Sequence, residues 1–441
     1  MNKERMNKDN NKTWENIIAS RQDWANYIGY HWNANRQIQI MVELDGELDI
    51  NCLKNAVRLS ISVEPILGCC FVEDEVSPYW RRLDNIDEIE WCTVYEVQEK
   101  KEVLKRVLSM PLEFEERQIQ VIVIRSKEGD TLCIKLNHAC CDGGGVKYYV
   151  HLLADIYSSL HEGKDYTWNP DTTEIRDSSS VFKAIGITDP KSALKPQLAA
   201  LKPTWAFPYK EEKVNNFAFS ICRIDKSKTK EIHSYGRSKG ITMNDIILTA
   251  FYRAMFFMVS PEYDIPMEIC VTVDLRRYLK DIKGSTVCNL SGVENNRLAF
   301  INGENFTEML ERVALSMNKI KSDYPGINSA ASIEMMADIG YKNAAAFIKN
   351  AWEESKRNGK STINLSNMGN ISDYPLKFGS NNVIDAFMAT PVFKAPSFML
   401  GVSSYNNILT FTVGYCEPEV NKEAVETFLS ILEKQLLLSI E

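Results

Sequence analysis

A histidine and an aspartate four residues apart precede a run of glycines in the segment 131–145, TLCIKLNHACCDGGG. A neutral imidazole can accept a proton from a hydroxyl or an amine near neutral pH, because its ordinary pKa is about 6.5. His138 is therefore the candidate general base, and a hydrogen-bonded core histidine is the alternative. Backbone N–H groups of Gly143 and Gly144 could hold an oxyanion, or these glycines could simply turn the chain.

The residues around this motif predict the elements that position it. Apolar Leu132, Ile134 and Leu136 alternate with other side chains, which is typical of a half-buried strand. His138 continues the apolar face and should point inward where the strand ends, before a sharp loop. Apolar residues at helical spacing over 146–160 then predict a helix. Asp142 could orient His138 as in a catalytic triad.

Two other kinds of chemistry have weaker support. Cys140 and Cys141 adjoin His138, but neighbouring residues on a turn rarely face each other, so a Cys–His nucleophile is disfavoured. The five histidines lie apart and show no ligand spacing, so we predict no metal site. No phosphate-binding loop motif is present.

Composition limits the class of protein. A chain of 441 residues predicts two domains, because single cores rarely grow that large. The net charge of −8 disfavours a nucleic-acid partner or an anionic membrane. Eleven scattered cysteines suggest reduced thiols, and no apolar run is long enough to span a membrane. We expect a cytoplasmic protein.

Periodicity divides the chain into a disordered tail over 1–12, an N-terminal subdomain over 13–165, a crossover linker over 166–215 and a C-terminal subdomain over 216–441. Both subdomains open with a strand, a short connection and a helix, which favours an α/β class with two layers in each subdomain. The local patterns predict further elements, among them helices over 14–30 and near 193–201, one or two helices over 332–354, and a strand over 64–72.

Several segments together resemble the chloramphenicol-acetyltransferase-like superfamily, which includes condensation domains of peptide synthetases, alcohol acetyltransferases and polyketide-associated acyltransferases. NHACCDGGG resembles the HHxxxDG signature, VTVDLRR the "vpvdLRxR" segment, and INLSNMG the "vSNxG" strand. GITMNDIILTAFYRAM resembles the helix of the second half. The order and spacing of these segments agree along nearly the whole chain.

The resemblance implies a fold and a site. Two subdomains should form a V with a tunnel between them, in which a thioester and an acceptor meet at His138. Asp142 should be mainly structural and should pair with Arg276 of the other half. The tunnel-lining or oxyanion candidates are Ser366, Asn367 and Asn137, together with the two glycines. Asn137 replaces the first histidine of the signature.

The implied activity is acyl transfer from coenzyme A, or from the phosphopantetheine of a carrier protein, to an alcohol or an amine. No permanently bound cofactor is expected, and the partners are a small-molecule donor and acceptor. The alcohol acetyltransferase branch is favoured, since the segment PILGCCF lacks the arginine that typical condensation domains carry. The alternatives are a free-standing condensation enzyme that forms an amide on carrier-bound substrates, and an inactive binding or scaffold protein.

Overall fold

The computed structural model describes residues 16–113, 117–168, 176–195, 202–214, 216–279 and 286–440. The predicted tail over 1–12 lies outside these residues. The strands, in chain order, are β1 (Ile17–Ile18), β2 (Gln37–Leu44), β3 (Cys69–Val72), β4 (Tyr79–Arg82), β5 (Cys92–Glu96), β6 (Ile119–Ser126), β7 (Gly129–Asn137), β8 (Asn216–Ile224), β9 (Pro266–Asp274), β10 (Ser291–Ala299), β11 (Ile363–Asn370), β12 (Lys377–Phe378), β13 (Asn381–Ala389), β14 (Phe398–Tyr405) and β15 (Ile408–Glu417).

The helices, in the same order, are α1 (Arg21–Asn33), α2 (Ile50–Val63), α3 (Lys100–Ser109), α4 (Gly143–His161), α5 (Ser179–Ala184), α6 (Lys226–Lys239), α7 (Met243–Val259), α8 (Phe306–Lys321), α9 (Ile327–Glu334), α10 (Met336–Ile339), α11 (Tyr341–Asn358) and α12 (Lys422–Leu437). Two six-stranded sheets and a small sheet, ordered β1-β4-β3, organise them. This mixed architecture confirms the predicted α/β class.

The first large sheet has the strand order β12-β13-β2-β7-β6-β5. Helices α2 and α4 cover one face with apolar residues such as Val57 and Leu153, and α3 covers the other with Val107 and Leu108. Strand β7 is consequently buried along its whole length, because both faces of the sheet are covered, although its alternation is typical of a half-buried strand. Lys135 is tolerated on the α3 face because its ammonium donates to the carbonyls of that helix's last turn.

The second large sheet has the strand order β10-β9-β11-β14-β15-β8. Its core includes a group of aromatic rings in which Phe428 of α12 lies 5.6 Å from Phe251 of α7 and 5.3 Å from Phe398 of β14. A capping box between Thr242 and Asp245 begins α7. These contacts fix the outer layer of helices on the sheet.

The predicted division into two subdomains needs a correction. Strands β12 and β13 come from the C-terminal half of the chain but complete the first sheet, because β13 pairs antiparallel with β2. Met388 of β13 donates its backbone N–H to Ser403 of β14, which belongs to the second sheet. A boundary at residue 216 therefore divides the first sheet, and α11 of the second half also packs on α1 of the first, where Tyr341 contacts Trp24.

Other predicted elements differ in detail. The helix predicted over 14–30 begins at Arg21, after a two-residue strand and the capping residue Ser20. The strand predicted over 64–72 is interrupted by a 3-10 helix at Pro65–Gly68, since proline removes a backbone donor. The predicted helix near 193–201 falls mostly outside the described residues, and Pro190–Ala193 is a 3-10 helix. Among the helices of the described ranges, none is long and apolar enough to cross a membrane.

Candidate active site

A cavity of about 650 Å³ lies between the two halves and contains His138 in its wall. Strand β7 ends at Asn137, and the backbone N–H of His138 donates to the carbonyl of Arg36 at 2.7 Å. Residues of α1, α4, β9 and β11 also line the cavity. The structure therefore brings together side chains that are more than 200 positions apart in the sequence.

The ring of His138 is partly buried between neighbours from α1. Tyr30 stacks against it with the ring centroids 4.8 Å apart. The amide nitrogen of Asn26 lies 3.2 Å from the His138 carbonyl and 3.5 Å from Nδ1. Burial lowers the pKa of His138 below 6.5, although its own carbonyl, the charge of Asp142 and the side chain of Asn289 raise it. The imidazole is therefore neutral near pH 7, as a general base requires.

Asn289 is a neighbour of His138 that the sequence analysis did not identify. Its amide nitrogen donates to Ala139 at 2.7 Å and to the Asp23 carboxylate at 3.2 Å, which fixes the amide orientation. Its side-chain oxygen is buried without a hydrogen-bond partner among the described residues, and its side chain raises the pKa of His138. The only sequence signal was a polar residue within the apolar run Val-Cys-Asn-Leu.

Asp142 is turned away from His138 and joined to the other half of the chain. Its carboxylate accepts hydrogen bonds from Arg276 at 2.9 Å, from the Leu290 N–H at 2.7 Å and from the Gly145 N–H at 2.9 Å. Burial raises the pKa of Asp142, but the Arg276 charge and these hydrogen bonds outweigh it and hold the pKa below the ordinary value. The ion pair that the resemblance implies is present, and this geometry does not support a catalytic triad.

The glycines form the first turn of α4, which corrects the expected sharp loop. Asp142 is the N-cap of this helix. A Cβ atom on Gly144 would lie 2.4 Å from the Arg276 guanidinium, so the ion pair needs glycine there. Gly143 and Gly144 both line the cavity, and their oxyanion role remains a prediction.

The remaining predicted residues divide between the cavity and the core. Ser366 and Asn367 line the cavity, and the amide of Asn367 donates to Asn244 of α7 at 3.2 Å. Asn137 lies in the core instead: its side chain donates to Gln118 at 2.6 Å and accepts from the Ala139 N–H at 2.9 Å. It stabilises the turn after β7 and is not among the residues that line the cavity, which corrects its prediction as a tunnel-lining residue.

Lys147 also lines the cavity and was not predicted from the sequence. Its ammonium donates to the carbonyl of Met368 at 2.9 Å, which ties α4 to the end of β11. Burial lowers the pKa of Lys147, and the nearby carboxylates of Asp274 and Asp142 oppose that shift. A single lysine in a predicted amphipathic helix is an ordinary surface residue, so nothing in the sequence marked Lys147 as part of a site.

The cysteines beside His138 are buried packing residues. The thiol of Cys140 contacts the Asn137 carbonyl, and that of Cys141 contacts the Asp142 carbonyl. Burial raises the pKa of both thiols, which disfavours the nucleophilic thiolate. Within the described ranges, no group of three or more histidine, cysteine, aspartate or glutamate side chains could hold a metal ion.

Comparisons with known proteins agree with this arrangement. Over residues 29–258 the chain matches the model of the family described as Condensation domain. A search of curated proteins gave no match. Trichothecene 15-O-acetyltransferase from Fusarium sporotrichioides has a similar structure, with a TM-score of 0.72, 11% identity, and coverage of 96% of this chain and 94% of that one.

Two condensation domains have similar structures. The first condensation domain of the CDA synthetase gives a TM-score of 0.67 at 14% identity, covering 98% of this chain and 97% of that one. The starter condensation domain of rhizomide synthetase, a mutant in complex with C8-CoA and Leu-SNAC, gives a TM-score of 0.64 at 12% identity, covering 97% and 95%. Because the family model matches just over half of its length, the chain belongs to the condensation domain family, within the superfamily that its motifs resemble.

Proposed function

We propose that this protein transfers an acyl group from a thioester to an alcohol or an amine, with His138 as the general base. The observation that carries the proposal is the neutral, partly buried His138 in the wall of a cavity lined by both halves of the chain. Such a position gives two substrates access to one base. A transferase is also what the family predicts.

In the proposed reaction, donor and acceptor occupy the cavity together. His138 removes the proton from the acceptor hydroxyl or amine as that atom attacks the thioester carbonyl. The tetrahedral intermediate collapses, the carbon–sulfur bond breaks, and the imidazolium returns the proton to the leaving thiolate. No acyl-enzyme forms. Gly143, Gly144, Ser366 and Asn367 are the candidate donors to the oxyanion, since all four line the cavity.

Asp142 and Arg276 have a supporting role in this proposal. Their ion pair joins the N-cap of α4 to the segment after β9, and so holds the turn that carries His138 against the other half. An uncompensated charge at this buried position would be costly, which favours a structural task over proton transfer. The ion pair affects the rate of acyl transfer only by holding His138 in position.

Transfer to an alcohol is the first choice. One structural neighbour is a 15-O-acetyltransferase, and another was solved with C8-CoA, so the fold accommodates acyl-CoA donors and hydroxyl acceptors. The family name favours the second candidate, amide formation on carrier-bound substrates. The retention of His138 and Asp142 argues against an inactive scaffold.

The test is thiol release from acetyl-CoA and longer acyl-CoAs with a panel of alcohols and amines. His138→Ala should lower kcat/KM by about 10²–10⁴-fold, the usual contribution of a general base. His233→Ala on α6 is the matched control, because this exposed histidine lies outside the cavity.

The other outcomes separate the alternatives. An unchanged rate in His138→Ala would refute the general-base proposal. Turnover only with an acyl-carrier protein would favour a condensation enzyme. Tight binding of a thioester without turnover would favour a scaffold protein.

A further inference from the structure

A group of lysines and tryptophans lies around Asn33, a residue of the cavity wall. We call it the basic rim and define it as Trp32, Lys349, Trp352, Lys356 and Lys394. Its link to the cavity is Asn33, which lines it. The side-chain oxygen of Asn33 accepts a hydrogen bond from the Trp352 indole at 3.1 Å, and its carbonyl accepts from the Lys394 N–H at 2.8 Å.

The tryptophans hold the ammonium groups of the basic rim in place. The Lys349 ammonium lies 4.5 Å from the centre of the Trp32 ring, and the Lys356 ammonium lies 5.2 Å from that of Trp352. Lys394 donates to the carbonyl of Trp32 at 3.3 Å. These cation–π and hydrogen-bond contacts place three positive charges on the tryptophans that adjoin Asn33.

Two carboxylates oppose these charges. Glu353 lies 3.8 Å from Lys349, and both side chains are nearly half exposed, so this pair is weak. Glu419 is buried near Lys356 and Lys394, and its carboxylate accepts the Ala395 N–H at 2.9 Å. The basic rim therefore keeps an excess of positive charge toward solvent.

The wall between the basic rim and His138 suits a long, thin ligand. The Tyr30 ring contacts His138, and the Phe393 ring lies 5.8 Å from Tyr30, so two aromatic rings lead from the base toward Lys394. Polar groups border the same end: the hydroxyls of Ser361 and Ser397 lie 3.1 Å apart, and Asn33 donates to Ser397 at 3.2 Å. Methylene groups can pack on the rings while amide groups bond to the hydroxyls.

We propose that the basic rim binds the 3′-phosphoadenosine diphosphate end of coenzyme A, with the pantetheine arm extending past Phe393 and Tyr30 to His138. The inference rests on the proposed function only for the direction in which the thioester points. Three separated ammonium groups match three phosphates, whereas a carrier-bound pantetheine has a single phosphodiester. The nucleotide of a free donor is therefore the occupant that the charges favour.

Binding of adenosine 3′,5′-bisphosphate and of coenzyme A to the full chain, measured by calorimetry, tests the site without any turnover. Lys349→Glu and Lys356→Glu should each raise both dissociation constants about tenfold, since each removes a charge-assisted contact with a phosphate. Lys230→Glu on α6 makes the same charge change on an exposed residue outside the cavity and should have no effect. Equal affinities in all three variants would overturn the inference.

Kinetics with two donors distinguish this inference from the proposed function. The variants should raise KM for acyl-CoA about tenfold but leave transfer from an acyl N-acetylcysteamine thioester unchanged, because that donor has no nucleotide. If no thioester is turned over but the bisphosphate binds and the variants weaken it, the inference stands and the proposed function fails. If the variants impair only an acyl-carrier protein donor, the basic rim docks a carrier and the inference is wrong.

Discussion

Burial of the His138 ring in the cavity wall opposes its protonation, and this decides how the residue can act. The shift below 6.5 is moderated by Asn289, the charge of Asp142 and the residue's own carbonyl, so the base stays accessible to a proton. A base whose pKa fell much further would accept the proton of an alcohol less readily. The neighbours of His138 thus oppose a larger decrease of its pKa, while burial holds this pKa below 6.5.

The first prediction is the pH dependence of acyl transfer. A group with a lowered pKa is deprotonated at neutral pH, so kcat/KM should be constant around pH 7 and fall as the pH decreases through the His138 pKa. The midpoint should lie below pH 6.5. Initial rates between pH 4.5 and 8 test this, with protein integrity checked by circular dichroism at each pH. A midpoint above 6.5 would contradict burial as the dominant cause.

Asn289 should act as a positioning residue for His138. Replacing it by leucine removes a polar side chain that raises the pKa of His138, so the acid midpoint of kcat/KM should move to lower pH and kcat should fall about tenfold. Asn296→Leu is the control, since Asn296 is equally buried but bonds to Ser316 of α8. A merely structural role would lower stability in both variants and leave both midpoints unchanged.

At the scale of elements, an ion pair holds the helix of the motif to the second half of the chain. Arg276 follows β9 and Asp142 caps α4, and both side chains are at most 6% exposed. Arg276 also donates to the Cys288 carbonyl at 3.0 Å. Removing the guanidinium would leave a buried carboxylate with backbone donors alone.

Arg276→Ala should therefore lower the free energy of unfolding by about 3–5 kcal/mol, because it leaves an unpaired buried charge. The neighbouring Arg277→Ala should change it by less than about 0.5 kcal/mol, since Arg277 is exposed. Urea denaturation of both variants measures the difference. Equal midpoints for the two variants would show that the pair contributes little to stability.

Elements with a regular apolar pattern or a clear capping residue could be predicted from the sequence. The apolar helical spacing over 146–160 predicts α4, which spans Gly143–His161 and begins after its N-cap Asp142. Strand β10 was missed because Glu294 and Arg297 interrupt its apolar alternation, and it forms by pairing with β9 along its whole length. Such pairing is set by tertiary contacts that a local pattern does not contain.

The residues of the site also divide into those that the sequence predicts and those that only tertiary contacts bring together. His138, Asp142 and Arg276 were predictable because motifs carry them, whereas Asn26 and Asn289 lie near the base only through the packing of distant elements. Asn289 follows a segment that begins outside the described residues, and it reaches His138 because Asp23 and Ala139 fix its amide. No spacing in the sequence encodes that contact.

Across the whole molecule, strand β13 of the first sheet is hydrogen-bonded to side chains of the second, so the two sheets should not unfold separately. Strand β13 pairs with β2 of the first sheet, while its Met388 carbonyl accepts from Thr412 and its N–H donates to Ser403 in the second. Loss of β13 would expose an edge of one sheet and unsatisfied groups at the other. The cavity that lies between the sheets depends on both.

The chain should consequently unfold in one cooperative transition, and damage to β13 should be felt in both sheets. Met388→Ala should lower the free energy of unfolding by about 2–5 kcal/mol, because Met388 is fully buried and leaves a cavity. Hydrogen exchange in increasing denaturant should show peptides from β6 and β15 losing protection at one shared, lowered midpoint. Leu315→Ala on α8 is the control and should shift neither, since this leucine is 75% exposed. If only the β6 peptides lose protection early, the two sheets unfold independently and β13 does not couple them.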